Sequence, residues 1–447
     1  MFKRNISIAN PNKNNCCGCS ACAAVCPKDC IVMTPDTEGF LYPLVDSVKC
    51  IDCGLCEKVC HEIHPYDEHI PIKVYAAMNN DVEIRTSSSS GGLFYAFAQK
   101  AIQQGGVVFG ARFDKNWQVI IDYARTLHEA KAFMGSKYVQ ARIENSYLNA
   151  KKMLDEGTFV LFSGTPCQIA GLKHYLRKDY EKLVTVDFIC HGTPSPKVWR
   201  KYLDEVLKGG KEARKIEFRN KKNGWKRFNF HICYNEDSKS VSILSKFDED
   251  IYMKGFLSDL TLRPSCYSCK SKSGRSSSDI TIADFWGIES IHPNIDDDKG
   301  TGLVFLNTAK GIDFFDSIEQ INSFKSDFQT ATMYNPAYYR SVSPHSKREF
   351  FFGELDRCQS VSALIEKSLK YSLIRRIRIK LGWYKSLLKK KISEVLLGGG
   401  KSEKKRIIKI EYHNQTNLPD NPKILAINFR NKSFGWKNYH IEIKVIK

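Results

Sequence analysis

Three absences narrow what this sequence can be. Its 447 residues hold no run of 18 or more apolar residues, so a helix that crosses a bilayer is not expected. Behind the two charges of Met1-Phe2-Lys3-Arg4-Asn5-Ile6 there is no apolar stretch, so a secretory leader is not expected either. No Gly-x-Gly-x-x-Gly fingerprint occurs, which disfavours a Rossmann-type dinucleotide site. The rest of the composition, 42% hydrophobic and 26% charged, is that of a globular protein with a substantial core.

Nucleic-acid-binding character is missing from the main body too. The net charge is +19, but from Lys367 to Lys409 fifteen Lys and Arg stand against only Glu394 and Glu403. That segment carries +13 and leaves about +6 for everything else. The positive charge belongs to the tail, and no nucleic acid is expected as a partner.

What is plentiful is cysteine. Sixteen could form a disulfide framework, but that reading wants a small secreted domain with an export signal. Ten of them fall between Cys16 and Cys60, in a pattern that disulfides do not require. A reduced, cytoplasmic compartment, with thiolates reserved for metal, is the expectation.

Cys16-x2-Cys19-x2-Cys22-x3-Cys26-Pro27 is the bacterial ferredoxin run, and Cys50-x2-Cys53-x2-Cys56-x3-Cys60 repeats it 34 positions later, with His61 where proline is usual. The short spacings wrap three thiolates around one face of a 4Fe-4S cube, and the fourth cysteine ligates the other cluster. Cys16, Cys19, Cys22 and Cys60 are therefore assigned to one cluster, and Cys50, Cys53, Cys56 and Cys26 to the other. Zinc also takes four cysteines, but as two CxxC pairs, not as three cysteines in one seven-residue turn, twice. Cys17 and Cys30 are read as small buried residues outside the ligand sets, and the His61 exchange as a matter of turn geometry.

Beyond about residue 72 the pattern becomes α/β. Gly91 to Gln104 predicts a helix stopped by Gly105-Gly106, followed by a buried strand at Val107–Ala111. Glu144 to Glu156 and Ile169 to Lys178 predict further helices, with strands at Thr158–Phe162 and Leu183–Ile189. Alternation of this kind implies βαβ units and a mostly parallel sheet. One internal repeat is visible: Phe218-Arg219-Asn220-Lys221 with Gly224-Trp225-Lys226 recurs as Phe429-Arg430-Asn431-Lys432 with Gly435-Trp436-Lys437. Two copies are no solenoid, and a partial duplication of one strand-turn-strand unit accounts for them. Phe218–Lys221 and Trp225 could line an acceptor face, or serve as core.

Four more cysteines lie in telling places. Cys167 follows a predicted strand within Gly164-Thr165-Pro166-Cys167-Gln168, and Cys190 closes the next within Ile189-Cys190-His191-Gly192. If those strands are parallel neighbours, both thiols stand at the carboxyl edge of the sheet, where open α/β sheets bind ligands. Cys266-x2-Cys269 could complete a third cluster, but spacing alone leaves a zinc site, a redox CxxC or buried thiols open.

With these pieces in hand, residues 12 to 345 resemble the coenzyme F420 hydrogenase/dehydrogenase beta-subunit family with an N-terminal two-cluster ferredoxin domain. The motifs that carry the resemblance are Ser88-Ser89-Ser90-Gly91-Gly92, Gly135-Ser136-Lys137-Tyr138, Gly164–Gln168, Cys190-His191-Gly192, Arg263-Pro264-Ser265-Cys266-Tyr267-Ser268-Cys269 and Asp279–Gly287. The resemblance implies an iron–sulfur flavoprotein oxidoreductase, with Cys167, Cys190, Cys266 and Cys269 as ligands of a third cluster and FAD in the α/β body. Its FAD contacts would be Ser88, Ser89, Ser90, Gly91, Gly92, Lys137, Tyr138, Gly164 and Thr165. The serine-glycine turn leads into a helix, so it could hold a phosphate or be an ordinary cap. His191 could assist proton transfer or be structural.

Such chemistry is coherent. A deazaflavin gives up a hydride, each cluster carries one electron, and a flavin converts between the two. No general acid or nucleophile is required, and no catalytic residue is named. The expected function is electron passage between a reduced deazaflavin (coenzyme F420-like) or similar donor and the clusters or a ferredoxin-type partner; another oxidoreductase subunit is an equivalent partner. From other classes come a non-catalytic 4Fe-4S relay subunit and a zinc-stabilised scaffold. The expected organisation is an α+β ferredoxin-like module (1–65), an α/β body in two segments (72–155 and 156–345) and a basic helical appendage with the repeat (366–447). In the appendage, Leu369, Leu373, Ile377, Leu381, Tyr384, Leu388, Ile392 and Val395 form an apolar stripe over 367–397 that Gly398-Gly399-Gly400 ends. That helix could touch a membrane surface, dock an acidic partner or pack on the body.

Overall fold

The structure, a computed structural model, describes residue 8, residues 11–236 and 239–370, and two later strands. Met1–Lys370 form one compact unit and Tyr371–Lys447 another.

The cysteine-rich module has little apolar material of its own. β1 (Ile31–Pro35) and β2 (Leu41–Val45) form an antiparallel ribbon, and Asp36 closes its turn by accepting from the amides of Glu38 and Phe40, 3.0 Å each. One-turn helices Ala21–Ala24 and Leu55–Lys58 stand over it. The module's apolar cluster consists of Ile8 and Ile31 with Cys22, Cys30 and Cys56. Cysteine replaces a hydrophobic core there.

The body begins with β3 (Lys73–Asn79), β4 (Val107–Phe113), β5 (Val119–Ala124), β6 (Val160–Ser163) and β7 (Leu183–Phe188). β8 (Glu212–Asn220), β9 (Asn229–Glu236) and β10 (Lys239–Lys246) make a separate antiparallel sheet. β11 (Ile280–Asp284), β12 (Gly302–Leu306) and β13 (Ile321–Lys325) complete an eight-stranded sheet in the order β13-β3-β12-β11-β7-β6-β4-β5. It takes strands from both sides of residue 155.

Only the pairings β4–β6, β6–β7 and β7–β11 are parallel; the other four are antiparallel. The mostly parallel sheet expected from the sequence is thus a four-stranded parallel centre inside antiparallel flanks. Connection length explains one flank: only residues 114–118 separate β4 from β5, too few for a crossover helix. Asp114 tightens that turn by accepting from the amides of Asn116 (2.8 Å) and Gln118 (2.9 Å). The helix Leu93–Gln103 packs Leu93, Ala96, Phe97 and Ala101 on one face of the sheet, spacings of three and four that follow its period.

β14 (Lys423–Asn431) and β15 (Tyr439–Ile446) pair antiparallel, so the described start of the second copy, Phe429–Asn431, lies on an antiparallel strand as Phe218–Asn220 does. The helix expected over 367–397 falls outside the described residues from 371 onward, as does the triple glycine; Lys367–Leu369 close a helix that starts at Val361. Among the described residues no helix is long and apolar enough to cross a membrane.

Candidate metal centres and the cavity beside them

The outermost cysteines surround one small cavity. Cys26, Cys50, Cys53 and Cys56 line it with Cys30, whose Sγ stands 3.3 Å from that of Cys26. Cys53 is exposed, and the carboxylates acting on Cys26 and Cys56 are Asp29 and Glu57. Around this end the aliphatic side chains of Val32, Leu44, Val48 and Ile51 face water; Val32 and Leu44 are direct cross-strand partners, and Val48 is 89% exposed.

Cys16, Cys19, Cys22 and Cys60 form a second set farther in. Burial, then the thiols of Cys19 and Cys16, push Cys60 up to about 12. Burial also raises Cys22, with contributions from Cys19, Cys16, Cys60 and, across the module, Cys56. Cys26 therefore stands with the second motif and Cys60 with the first.

A third set gathers at the carboxyl edge of the central sheet. β6 and β7 are parallel neighbours, and Cys167 and Cys190 follow their ends. Burial raises Cys190 against the pull of Lys272, with Cys266, Cys167 and Cys269 adding to the rise. Cys269 is pushed up to about 12 by burial and then by Cys167. Cys167 lies in the first turn of the helix Pro166–Leu176, not in a loop ahead of a helix at Ile169. A capping box explains the earlier start: Thr165 and Gln168 satisfy one another's amides, and Pro166 needs no donor at the first helical position.

Between the second and third sets lies a junction that sequence reasoning missed. Cys17 packs with Cys19 and Cys167 in one buried cluster; its Sγ is 3.9 Å from His61 Nε2, and the ligand atoms of Cys17, Cys19 and His61 lie within 4.8 Å of one another. His61 is 1% exposed, with Nε2 3.2 Å from Ser271 Oγ, while its Nδ1 has no partner. The exchange of proline for histidine thus fills a contact point between the ferredoxin loop and the body. Gly171 makes the approach possible: a Cβ there would meet Cys19 Cβ and Sγ at 2.9 Å, so only glycine lets this helix lie on the cluster loop.

Arg263 seals the same junction. Its Nε donates to the Cys16 carbonyl (2.7 Å), Nη2 to the Leu41 carbonyl (2.9 Å) and Nη1 to Gln140 Oε1 (3.1 Å), with Nη2 3.7 Å from Cys16 Sγ. The guanidinium lies over the Tyr42 ring at 4.2 Å and is 1% exposed. In the sequence the only signal was an arginine three residues ahead of Cys266.

A cavity of about 780 Å³ opens beside the third set. All nine residues expected to contact FAD line it: Ser88, Ser89, Ser90, Gly91, Gly92, Lys137, Tyr138, Gly164 and Thr165, together with Cys190. Gly91 allows close backbone packing, since a Cβ would meet the Ala77 carbonyl at 2.6 Å and the Gly302 amide at 2.7 Å. Lys137 is not simply solvated; its ammonium donates to the carbonyls of Ala132, Met134 and Gly135 at 2.9–3.1 Å. On the opposite wall Arg219 pairs with Asp284 and donates to Tyr138 Oη at 3.2 Å, and its buried Nε has no partner. Trp225 is core: it stacks on Trp286 at 5.0 Å and donates to Asp284 Oδ1. His191 is held by Asp259, Nε2 to Oδ1 2.7 Å.

The donor chemistry fits iron–sulfur groups on the chain's own terms. There are three sets of four cysteines, one of them around a cavity, and beside the second lies a buried guanidinium whose bonds among the described residues reach only uncharged oxygens and one thiol. The larger cavity falls in the range of about 300–1,000 Å³ that small-molecule sites occupy. Fold and cysteine sets define an iron–sulfur redox protein.

Two segments of the chain are similar to known protein families. Residues 158–327 match the C terminus of the coenzyme F420 hydrogenase/dehydrogenase beta subunit, and residues 15–62 match the 4Fe-4S dicluster domain. These similarities place a 4Fe-4S dicluster segment ahead of a segment similar to that beta subunit's C terminus. Among solved structures, an F420-reducing NiFe hydrogenase complex from Methanosarcina barkeri is similar over 57% of this chain and 83% of its own, at 19% identity and a TM-score of 0.40, too remote to carry an argument. No curated protein matches the chain.

Proposed function

We propose that this protein is an iron–sulfur flavoprotein oxidoreductase, exchanging electrons between a two-electron partner of the deazaflavin type and a ferredoxin-type protein or neighbouring subunit. One observation carries the reading: the cysteines form an unbroken series from the surface to the cavity. Cys26, Cys50 and Cys56 of the outer set pack with Cys22 and Cys60 in one cluster, Cys19 packs with Cys17 and Cys167 in a second, and Cys190, past the end of the strand beside that of Cys167, lines the cavity. When bound, 4Fe-4S clusters would supply one-electron transfer and FAD the conversion to hydride chemistry.

The chain's own residues would do the holding. The amides of Ser89–Gly92, ahead of the helix Leu93–Gln103, suit a phosphate, while the hydroxyls of Ser88 and Ser90 hold the turn by donating to the carbonyls of Ile84 and Thr301. Phe228, Phe256 and Trp286 give the cavity apolar walls that exclude water, and Arg219, paired with Asp284, and Lys226, paired with Asp296 and Glu289, supply hydrogen-bond donors at its edge. Tyr138 orients Arg219, so an anionic planar ligand would find a fixed partner there. The exposed aliphatic group around the outer cysteines suits a protein partner, which would meet the series at its accessible end.

Anaerobic purification, with iron, acid-labile sulfide, zinc and released flavin measured on one sample, tests this. About twelve iron atoms and one FAD per chain are expected. About eight iron atoms without flavin would reduce the protein to a two-cluster relay, and zinc without iron would make it a scaffold.

A further inference from the structure

Buried cations are distributed unequally among the three cysteine sets. Arg263, at the second set, is 1% exposed and has no carboxylate partner among the described residues; its donors reach two carbonyls, one amide oxygen and the Cys16 thiol. Lys272, at the third set, is 8% exposed and likewise lacks a carboxylate there. Its ammonium donates to the carbonyls of Cys190 and Ala337 and acts on the thiols of Cys190 and Cys269. The cavity of the outer set has no buried cation: Lys28, the cation that lines it, is exposed, as is the neighbouring Asp29, whereas the buried carboxylate near the second set, Glu62, is 3.4 Å from His61.

A buried charge without a counter-charge is costly, so proteins pair it or bind an ion against it. Neutral carbonyls satisfy the donors of Arg263 and Lys272 but not their charge. The anions that complete both sites are the cysteine-ligated clusters, whose ligands these cations already touch. Positive charge against a cluster favours its reduced form, and it acts most strongly where water is excluded. Water at the exposed outer set also favours reduction, but a whole charge held at a dry site outweighs it.

We propose that Arg263 and Lys272 are the counter-charges of the two inner cysteine sets and grade the series, so that the outer set has the lowest reduction potential. This rests on the three-cluster reading above. A low-potential one-electron carrier protein would be oxidised at the outer face, and a two-electron acceptor in the cavity would be reduced. Two carrier electrons and one proton amount to each hydride equivalent delivered. The deazaflavin-type partner is then the receiver of electrons.

Potentiometric titration of the anaerobic holoprotein, followed by low-temperature EPR, tests this without any activity assay. Arg263→Gln is expected to move one cluster signal to lower potential, and Lys272→Met to move a different one. The signal that neither moves should have the lowest midpoint in the unaltered protein. Arg263→Lys, which keeps the charge, should preserve the order. A lowest midpoint on a signal that one substitution moves overturns the proposal, as do two substitutions that move nothing. If Arg263→Gln fails to fold, the Lys272→Met shift and the wild-type order still decide. Fewer than about twelve iron atoms per chain in the starting protein would instead refute the three-cluster reading.

Discussion

The two ferredoxin motifs have the same spacing but opposite surroundings. Three cysteines of the second run, with Cys26, line a small cavity at which Cys53 is exposed, Cys26 and Cys50 are half-buried and aliphatic side chains face water. Three of the first, with Cys60, are clamped against the body by Arg263, Gly171 and His61. Identical ligand chemistry is thereby given two jobs, one at a docking surface and one at an internal contact. Spacing specifies the cluster; the neighbours specify its use.

The broadest way to break that contrast is to remove the metal. Stripping the iron with a chelator under oxidising conditions is expected to unfold residues 12–65 while the body survives, because cysteines supply the module's core. Limited proteolysis read by mass spectrometry should show cuts confined to the module; equal cutting of the body would sink the idea. Next in size is the ion pair Arg348–Glu38, which ties the module to a body helix with bonds of 3.0 and 2.5 Å and side chains 11% and 16% exposed. Arg348→Met leaves Glu38 without its partner and should cost about 3 kcal/mol in denaturant unfolding. Gly171→Ala should cost about 2 kcal/mol by overpacking against Cys19, and should also perturb the EPR signal of the inner set alone. The smallest change in stability belongs outside: Val48→Asp with Ile51→Asp should alter stability by no more than about 0.5 kcal/mol. The same pair should slow electron transfer with an electron-carrier protein, and an unchanged rate would remove the docking surface from this face.

Local pattern made much of this molecule legible. The helix after the serine-glycine turn, the strands at Val107, Val160 and Leu183, and the placement of Cys167 and Cys190 at one sheet edge all follow from periodicity and glycine stops. The antiparallel flanks were not legible, because β3, β12 and β13 pair across more than 200 positions and no local signal encodes that. Arg263 illustrates the harder loss. On its own it is an arginine before a proline; its meaning comes from Cys16, Leu41 and Gln140, which the fold brings to it. Cys17 was read as filler because extra cysteines usually are, and only its packing with Cys19 and Cys167 gives it a place in the series.

The Arg263–Cys16 bond spans 247 positions, and that has a consequence in time. During synthesis at about 5–20 residues per second, Cys16 is made roughly 10–50 s before the arginine that encloses it. For that interval the first motif is an open set of thiols, available to metal delivery and to oxidation alike. The second motif needs nothing from residue 263 and can be finished early. The inner cluster, three of whose four ligands are translated first, is therefore the last of the module to be closed in.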